Sequence, residues 1–291
     1  MDFLHNMEWV LPLRSDTATI IFNALTWLGY GTFFLIALPL VYWLWNRAIA
    51  MRLVVLIAIT AVINGWLKDY WQDPRPPREL WLDQRVDDSY GRPSGHAQVS
   101  FAMWTWMAYE IKKSWAWAAA IIIVAGVCLS RLYLAVHDID DILTGVSLGI
   151  VGMLLFIWLQ SSAFAAIRNL PVLAHLVLIV AAGAALFVVW PTGENPVPVV
   201  GLLALLFGWF IGADMDHRLA PATPVLPVWP LRLVMGIGGV VVLFALQIAL
   251  KKGIAAAGVE GTVSSYATSA ILGFYMTGLA PLAFRALKLV K

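Results

Sequence analysis

Three short polar stretches interrupt the apolar runs of this chain, and the residue types in them are those of a site for a phosphate ester. The first is Lys68 followed by Arg75-Pro76, the second is Pro93-Ser94-Gly95-His96, and the third runs from Ser130 and Arg131 to His137 and Asp141. Arg or Asp in the middle of a spanning helix costs about 2.5 to 3.5 kcal/mol, so such residues face a cavity and serve function. If the chain is helical from His137 onward, Asp141 lies one turn away on the same face, where its carboxylate can hold the imidazole. A histidine oriented in this way is a nucleophile or a base. The three stretches together supply cations at Lys68, Arg75 and Arg131, a glycine that lets backbone N–H groups approach a ligand, and a second histidine. Cations and amides neutralise equatorial oxygens, one histidine attacks, and the other protonates the leaving oxygen.

The motifs resemble the signature of the type 2 phosphatidic acid phosphatase superfamily, Lys-x6-Arg-Pro, Pro-Ser-Gly-His and Ser-Arg-x5-His-x3-Asp, with every position matched in order. The resemblance covers roughly residues 68 to 152. Its layout, with the first motif ending the second spanning helix, is similar to the glucose-6-phosphatase and sphingosine-1-phosphate phosphatase branch. The resemblance implies that His137 attacks phosphorus to form a phosphohistidine while Asp141 holds its ring, and that His96 protonates the leaving alkoxide and later activates water. It also implies that Lys68, Arg75 and Arg131 clamp the phosphate, aided by the Ser94 hydroxyl and the Gly95 amide. No metal and no cofactor is expected, in keeping with a chain that has one Cys and no Cys or His cluster at zinc spacing.

These residues must be carried by membrane helices. Hydrophobic residues make up 61% of the chain and charged ones 12%, far from the balance of a soluble domain. The expected fold class is therefore all-α, a polytopic membrane bundle. Apolar runs of spanning length lie at about Gly29–Trp45, Ala48–Trp71, Ser94–Ile111, Ser114–Val136, Asp138–Gln160, Pro171–Trp190, Val197–Ala213, Leu231–Leu250 and Thr262–Leu287, which makes about nine spans. Ser15 to Leu28 reads as an amphipathic helix on the membrane surface, capped by Ser15 or Asp16. Asp138 and Asp140 are expected to cap the fifth span, with contact to the substrate as the alternative. The domain reading is an N-terminal amphipathic segment over 1–28, a catalytic core over 29–160 and a transmembrane extension over 161–291, linked through Pro191–Pro196 and Pro221–Pro230. No internal repeat is visible.

Positive charge sets the orientation. Arg47, Arg52, Lys112, Lys113, Arg168, Arg218, Arg232, Arg285, Lys288 and Lys291 fall on one side of nine spans, which makes the C-terminus cytoplasmic and turns all three motifs away from the cytoplasm. The N-terminus lacks the basic leader and small-residue cleavage site of a secretory signal and is expected to be retained. A net charge of +2 gives no reason to expect nucleic acid, and Cys128 reads as a small core residue. Leu80-Trp81-Leu82, between Arg78 and Arg85, is either a membrane-surface segment that admits a lipid or plain loop packing. Arg78, Arg85 and Arg92 read as surface charges, with contact to a head group as the alternative, His5, His175 and His217 read as structural, and Asn64, Asp69 and Tyr70 stand near enough to Lys68 to support it, a role the sequence does not show.

A site at the membrane surface favours a phosphate on a lipid: phosphatidate-like, isoprenyl diphosphate or sphingoid phosphate. A lipid-to-lipid phosphotransferase would use the same residues, and a non-catalytic membrane scaffold or lipid transporter is the reading of another class. The expected partners are the lipid phosphate and membrane lipids, with a homo-oligomer left open.

Overall fold

The computed structural model describes residues 4–86, 89–192, 196–219, 229–259 and 261–289, and all regular elements among them are helical. The helices are α1 (Asp16–Trp27), α2 (Gly31–Leu44), α3 (Arg47–Trp71), α4 (Gly95–Ile111), α5 (Ser114–Tyr133), α6 (Ile139–Leu159), the short α7 (Ala165–Arg168), α8 (Val172–Val189), α9 (Val197–Arg218), α10 (Trp229–Ala256), α11 (Gly261–Phe274) and α12 (Ala280–Ala286). A 3-10 turn at Glu8–Leu13 precedes them, and a π-helical turn at Tyr275–Leu279 joins α11 to α12.

Local chemistry explains the boundaries that shape the site. Ser15 caps α1 by accepting a hydrogen bond from Ala18 N at 3.2 Å. The chain leaves α3 through Gln72 and α4 through Lys112, both with left-handed backbone, and Pro74 and Pro76 follow α3 where a helix cannot continue. α5 stops at Tyr133, three residues short of the expected Val136, because Ala135 adopts a φ of 52°. That left-handed alanine turns the chain so that Val136 and His137 leave the helix axis. Asp138 then caps α6 through a reciprocal pair with Asp141, as expected for Asp138, whereas Asp140 instead pairs with Arg92.

Among the described residues seven helices are long and apolar enough to cross a membrane: α3, α5, α6, α8, α9, α10 and the α11–α12 stretch. An eighth candidate is the pair α1 and α2, bent by 53° at the break between them. The first expected span is therefore not a straight helix of its own, since α2 has only 14 residues. α4, with 17 residues, is about 25 Å long against a hydrocarbon core of about 30 Å, so the count of nine is approximate.

The chain divides into two compact units. One comprises residues 1–35, 59–164 and 191–193, and within it α4 packs against α5 and α6, and α1 against α5. α6 can approach the start of α4 because residue 145 is glycine: a Cβ there would lie 2.6 Å from the Ser94 carbonyl oxygen. The other unit comprises residues 36–58, 165–190 and 194–291. Its α9 packs closely on α11, and the buried Asp216 accepts from Tyr42 at 2.9 Å, Arg47 at 2.7 Å and Arg285 at 2.6 Å. Of the expected linkers, residues 193–195 and 221–228 lie outside the described residues, as does Lys291.

Candidate active site

All three polar stretches converge within the first unit. The third motif builds its own core from local geometry: with His137 just ahead of the α6 N-cap and Asp141 in the first turn, His137 Nδ1 lies 2.8 Å from Asp141 Oδ2. The same oxygen accepts from the Asp138 N–H at 3.2 Å, and Asp138 Oδ1 accepts from the Asp141 N–H at 2.9 Å. This cage fixes the carboxylate, and through it the ring. On the other face of the ring, Arg75 Nη1 lies 3.0 Å from His137 Nε2. A guanidinium can only donate, so Nε2 is the acceptor and Nδ1 carries the proton to Asp141. Burial, and then the charges of Arg75, Lys68, Arg131 and His96, hold His137 well below the usual histidine range, which agrees with a neutral ring.

Arg75 is itself held by the Ser89 carbonyl at 2.6 Å, the Ser89 hydroxyl at 2.9 Å and the Val136 carbonyl at 2.8 Å. Lys68, in the last turn of α3, donates to the carbonyls of Tyr90 and of Gly91, the latter at 2.9 Å. Arg131 is 1% exposed and donates to Thr26 Oγ1 at 2.7 Å and Asp83 Oδ2 at 3.1 Å. Gly95 opens α4, so its N–H belongs to the first turn, where amides lack intrahelical partners. A side chain there would press on Asn64 Oδ1 at 3.0 Å, and Asn64 in turn donates to the Pro93 carbonyl at 3.1 Å and to Gln98 at 2.8 Å. His96 stands edge-on to Tyr30, with ring centroids 4.5 Å apart, and its buried Nε2 has no protein partner.

Lys68, Arg75, Gly95, His96, Arg131 and His137 line one cavity of about 320 Å³. Asp141 lies behind His137. Ser94 is not among the residues that line the cavity; it is fully buried with a hydroxyl that has no partner among the described residues, and its backbone N–H donates to the Asp141 carbonyl at 3.0 Å, which ties the second motif to the third.

Several residues of the cavity carry no motif signal. Tyr30 lines it from the bend between α1 and α2 and donates to Asp83. Arg85, for which the sequence leaves a surface charge or a head-group contact open, also lines it, fixed by Asp83 at 2.7 Å, by Asn23 at 2.9 Å and over the Tyr30 ring at 4.7 Å. Burial raises the Asp83 carboxyl, but hydrogen bonds from Arg85 and Tyr30 and the charge of Arg131 outweigh it and hold the group at about 2. Arg78 and Arg92 lie over the rings of Trp81 and Trp71. Trp81 also donates to the Pro76 carbonyl at 2.9 Å, so the Leu80–Leu82 stretch is packed onto the loop. Asp73, Asp138 and Asp141 bring carboxylate oxygens within 4.8 Å of one another, a grouping of possible metal ligands that linear spacing does not reveal.

Residues 49–165 match the sequence model of the PAP2 superfamily, and residues 200–291 match that of the transmembrane extension of PAP2 superfamily phosphatases. The chain belongs to the PAP2 superfamily. All three motifs lie inside the first matched segment, while Thr26, Gly29 and Tyr30 lie ahead of the PAP2 match. The chain is similar to a dihydrosphingosine 1-phosphate phosphatase of Saccharomyces cerevisiae, at 24% identity over 60% of this chain and 45% of that one. It is also similar to sphingosine-1-phosphate phosphatase 2 of Mus musculus, at 34% identity over 41% of this chain and 36% of that one. A solved structure of a transmembrane PAP2-type phosphatidylglycerolphosphate phosphatase from Bacillus subtilis aligns at a TM-score of 0.47 and 21% identity, over 53% of this chain and 82% of that one. The chain spans less than half the length of the curated PAP2 relatives it matches.

Proposed function

We propose that the protein is a membrane-embedded, metal-independent phosphatase that removes phosphate from a lipid phosphate or diphosphate through a phosphohistidine on His137. The observation that carries this reading is the state of the His137 ring: Nδ1 is committed to Asp141 at 2.8 Å, and Nε2 is the unprotonated nitrogen, held by Arg75 at 3.0 Å in a cavity lined by cations. In the first step Nε2 attacks phosphorus, the N–P bond forms as the bond from phosphorus to the lipid oxygen breaks, and the leaving alkoxide takes a proton from His96, which enters the step as the imidazolium with the negative charge of the bound phosphate beside it and leaves it neutral. Positive charge develops on the His137 ring, where Asp141 offsets it. In the second step His96 accepts a proton from water as that water attacks phosphorus, and the N–P bond breaks to release inorganic phosphate and restore the ring. Lys68, Arg75, Arg131 and the Gly95 N–H meet the equatorial oxygens as charge builds there. Arg75 leaves Nε2 to do so, since both cannot hold the same lone pair.

Relatives named for sphingoid phosphates and for dolichyl diphosphate support a lipid substrate. The catalytic core is assigned to residues 29–160, residues 1–28 to an N-terminal amphipathic segment and residues 161–291 to a transmembrane extension. The distribution of Lys and Arg supports a site on the non-cytoplasmic face with a cytoplasmic C-terminus.

The test is phosphate release by the purified protein in detergent from a panel of phosphatidate, sphingoid phosphate and isoprenyl diphosphate, alongside acid-labile phosphate trapped on the protein. His137→Ala should abolish both. Turnover in His137→Ala at a tenth of wild type or more would remove His137 as the nucleophile, and phosphate appearing on a lipid acceptor instead of in solution would make the protein a transferase.

A further inference from the structure

We propose that His5 is a positioning residue of the catalytic centre, acting through Asp138 on the Asp141–His137 pair. The inference rests on the phosphohistidine reading above and adds to it a residue outside every motif, in a segment ahead of the PAP2 match.

The chain before α1 is built into the back of the site. Met7 and Val10 are each 1% exposed and pack on Ala135, the left-handed residue that turns the chain toward His137. The Leu4 carbonyl accepts from the Ile139 N–H at 3.1 Å, which satisfies one of the first-turn amides of α6. Between these two anchors, His5 Nδ1 meets Asp138 Oδ2 at 2.7 Å. The Asp138 side chain is 5% exposed and its other oxygen caps the Asp141 N–H, so each of its oxygens has one assigned partner.

Charge explains why that partner matters. Asp138 stands beside Asp141 and Asp73, with all three carboxylates in one small volume. Like charges at such separation repel, and a buried carboxylate without a donor is costly. A donor at Asp138 Oδ2 draws charge to the outer edge of the cluster and leaves Oδ1 on the Asp141 amide. The cage that places Asp141 Oδ2 on His137 Nδ1 is thereby kept. Without His5, Asp138 gains by rotating toward water, and the Asp141 N–H and the aim of its carboxylate are released together. The His5 side chain is 49% exposed, so a small molecule from solution can reach the gap its removal leaves.

A tether and a positioning residue predict different results. His5→Ala should lower kcat at least fivefold with KM within twofold of wild type. His5→Asn, whose Nδ2 stands where the histidine Nδ1 stood, should keep at least half of wild-type kcat, and added imidazole should restore His5→Gly. The proton resonance of the His137 Nδ1–H···Asp141 hydrogen bond, observed without substrate, should shift upfield in His5→Ala and hold its place in His5→Asn. An unchanged resonance or a kcat within twofold of wild type in His5→Ala overturns the inference, as does a loss that neither Asn nor imidazole restores. A wild-type protein that releases no phosphate refutes the phosphatase reading instead, and the resonance still decides the role of His5.

Discussion

Replacing Gly29 with Ala displaces a proposed catalytic group from a distance of 67 residues, and the size of the effect follows from the geometry. A Cβ at position 29 would lie 2.5 Å from His96 Cδ2, 3.0 Å from Cγ and 3.2 Å from Cβ, where ordinary contacts are 3.4–4 Å. Relieving the closest of these moves the imidazole by about 1 Å, and the ring borders the cavity into which it can swing. Misplacement by about 1 Å costs up to about 100-fold when the group transfers a proton. We expect kcat to fall between about 10-fold and 100-fold, or about 1.4 to 2.8 kcal/mol in the barrier. KM should stay within about twofold, because the three atoms nearest that Cβ all belong to His96 and the proposed phosphate clamp of Lys68, Arg75 and Arg131 is left in place. Steady-state phosphate release in detergent measures both constants. Gly31→Ala is the matched control, since a Cβ there meets nothing within 4 Å and kcat should be unchanged. If Gly29→Ala retains kcat within twofold, or if Gly31→Ala loses as much, His96 is not the proton donor held at this spot.

Three further outcomes test other links. Activity should survive excess EDTA, and vanadate should inhibit as a mimic of the pentacoordinate state; loss in chelator that Mg²⁺ restores, and that Asp73→Asn removes, would make the Asp73–Asp138–Asp141 group a working metal site. Because His137 is held well below the usual histidine range, the unfolded chain binds the extra proton, so stability is fully present above about pH 6.5 and is lost as pH falls toward the depressed value. The apparent Tm should therefore fall further, or rise less, between pH 7.5 and pH 5 in the wild type than in His137→Ala; equal slopes would mean that His137 is not buried in its neutral form. For orientation, an impermeant maleimide on intact cells, after Cys128→Ser, should label Glu79→Cys but not Lys113→Cys, and the reverse pattern would place the site on the cytoplasmic face.

Local periodicity determined what the sequence alone could settle. Long apolar runs made the chain a helical membrane bundle, because a backbone in lipid must satisfy its hydrogen bonds within the segment. The pairing of His137 with Asp141 was legible, but its cause was not: the sequence suggested a helix running from His137, whereas α6 starts after the cap at Asp138 and His137 meets Asp141 from outside the helix, across the capped first turn. Ser15 and Asp138 were legible as caps because each stands just before a run of helix. The three motifs marked Lys68, Arg75, His96 and Arg131 as one chemistry, but only the tertiary structure brought them around one cavity. It also decided what surrounds them. Asp83, Tyr30 and Thr26 reach Arg131 from segments 48 to 105 residues away, at no helical or strand spacing. One signal pointed that way: a buried guanidinium needs a counter-charge, so some carboxylate had to accompany Arg131. Which carboxylate it was depended on how the loop after α3 folds back, as did the placing of Arg85 in the cavity. The number of spans was only partly legible: the short α4 is visible in sequence as Ser94–Ile111, whereas the 53° bend between α1 and α2 is not recorded in apolar content. The contact of His5 with Asp138, 133 residues on, belongs to the same class: adjacency along the chain is written in sequence, and adjacency across the fold is written in packing.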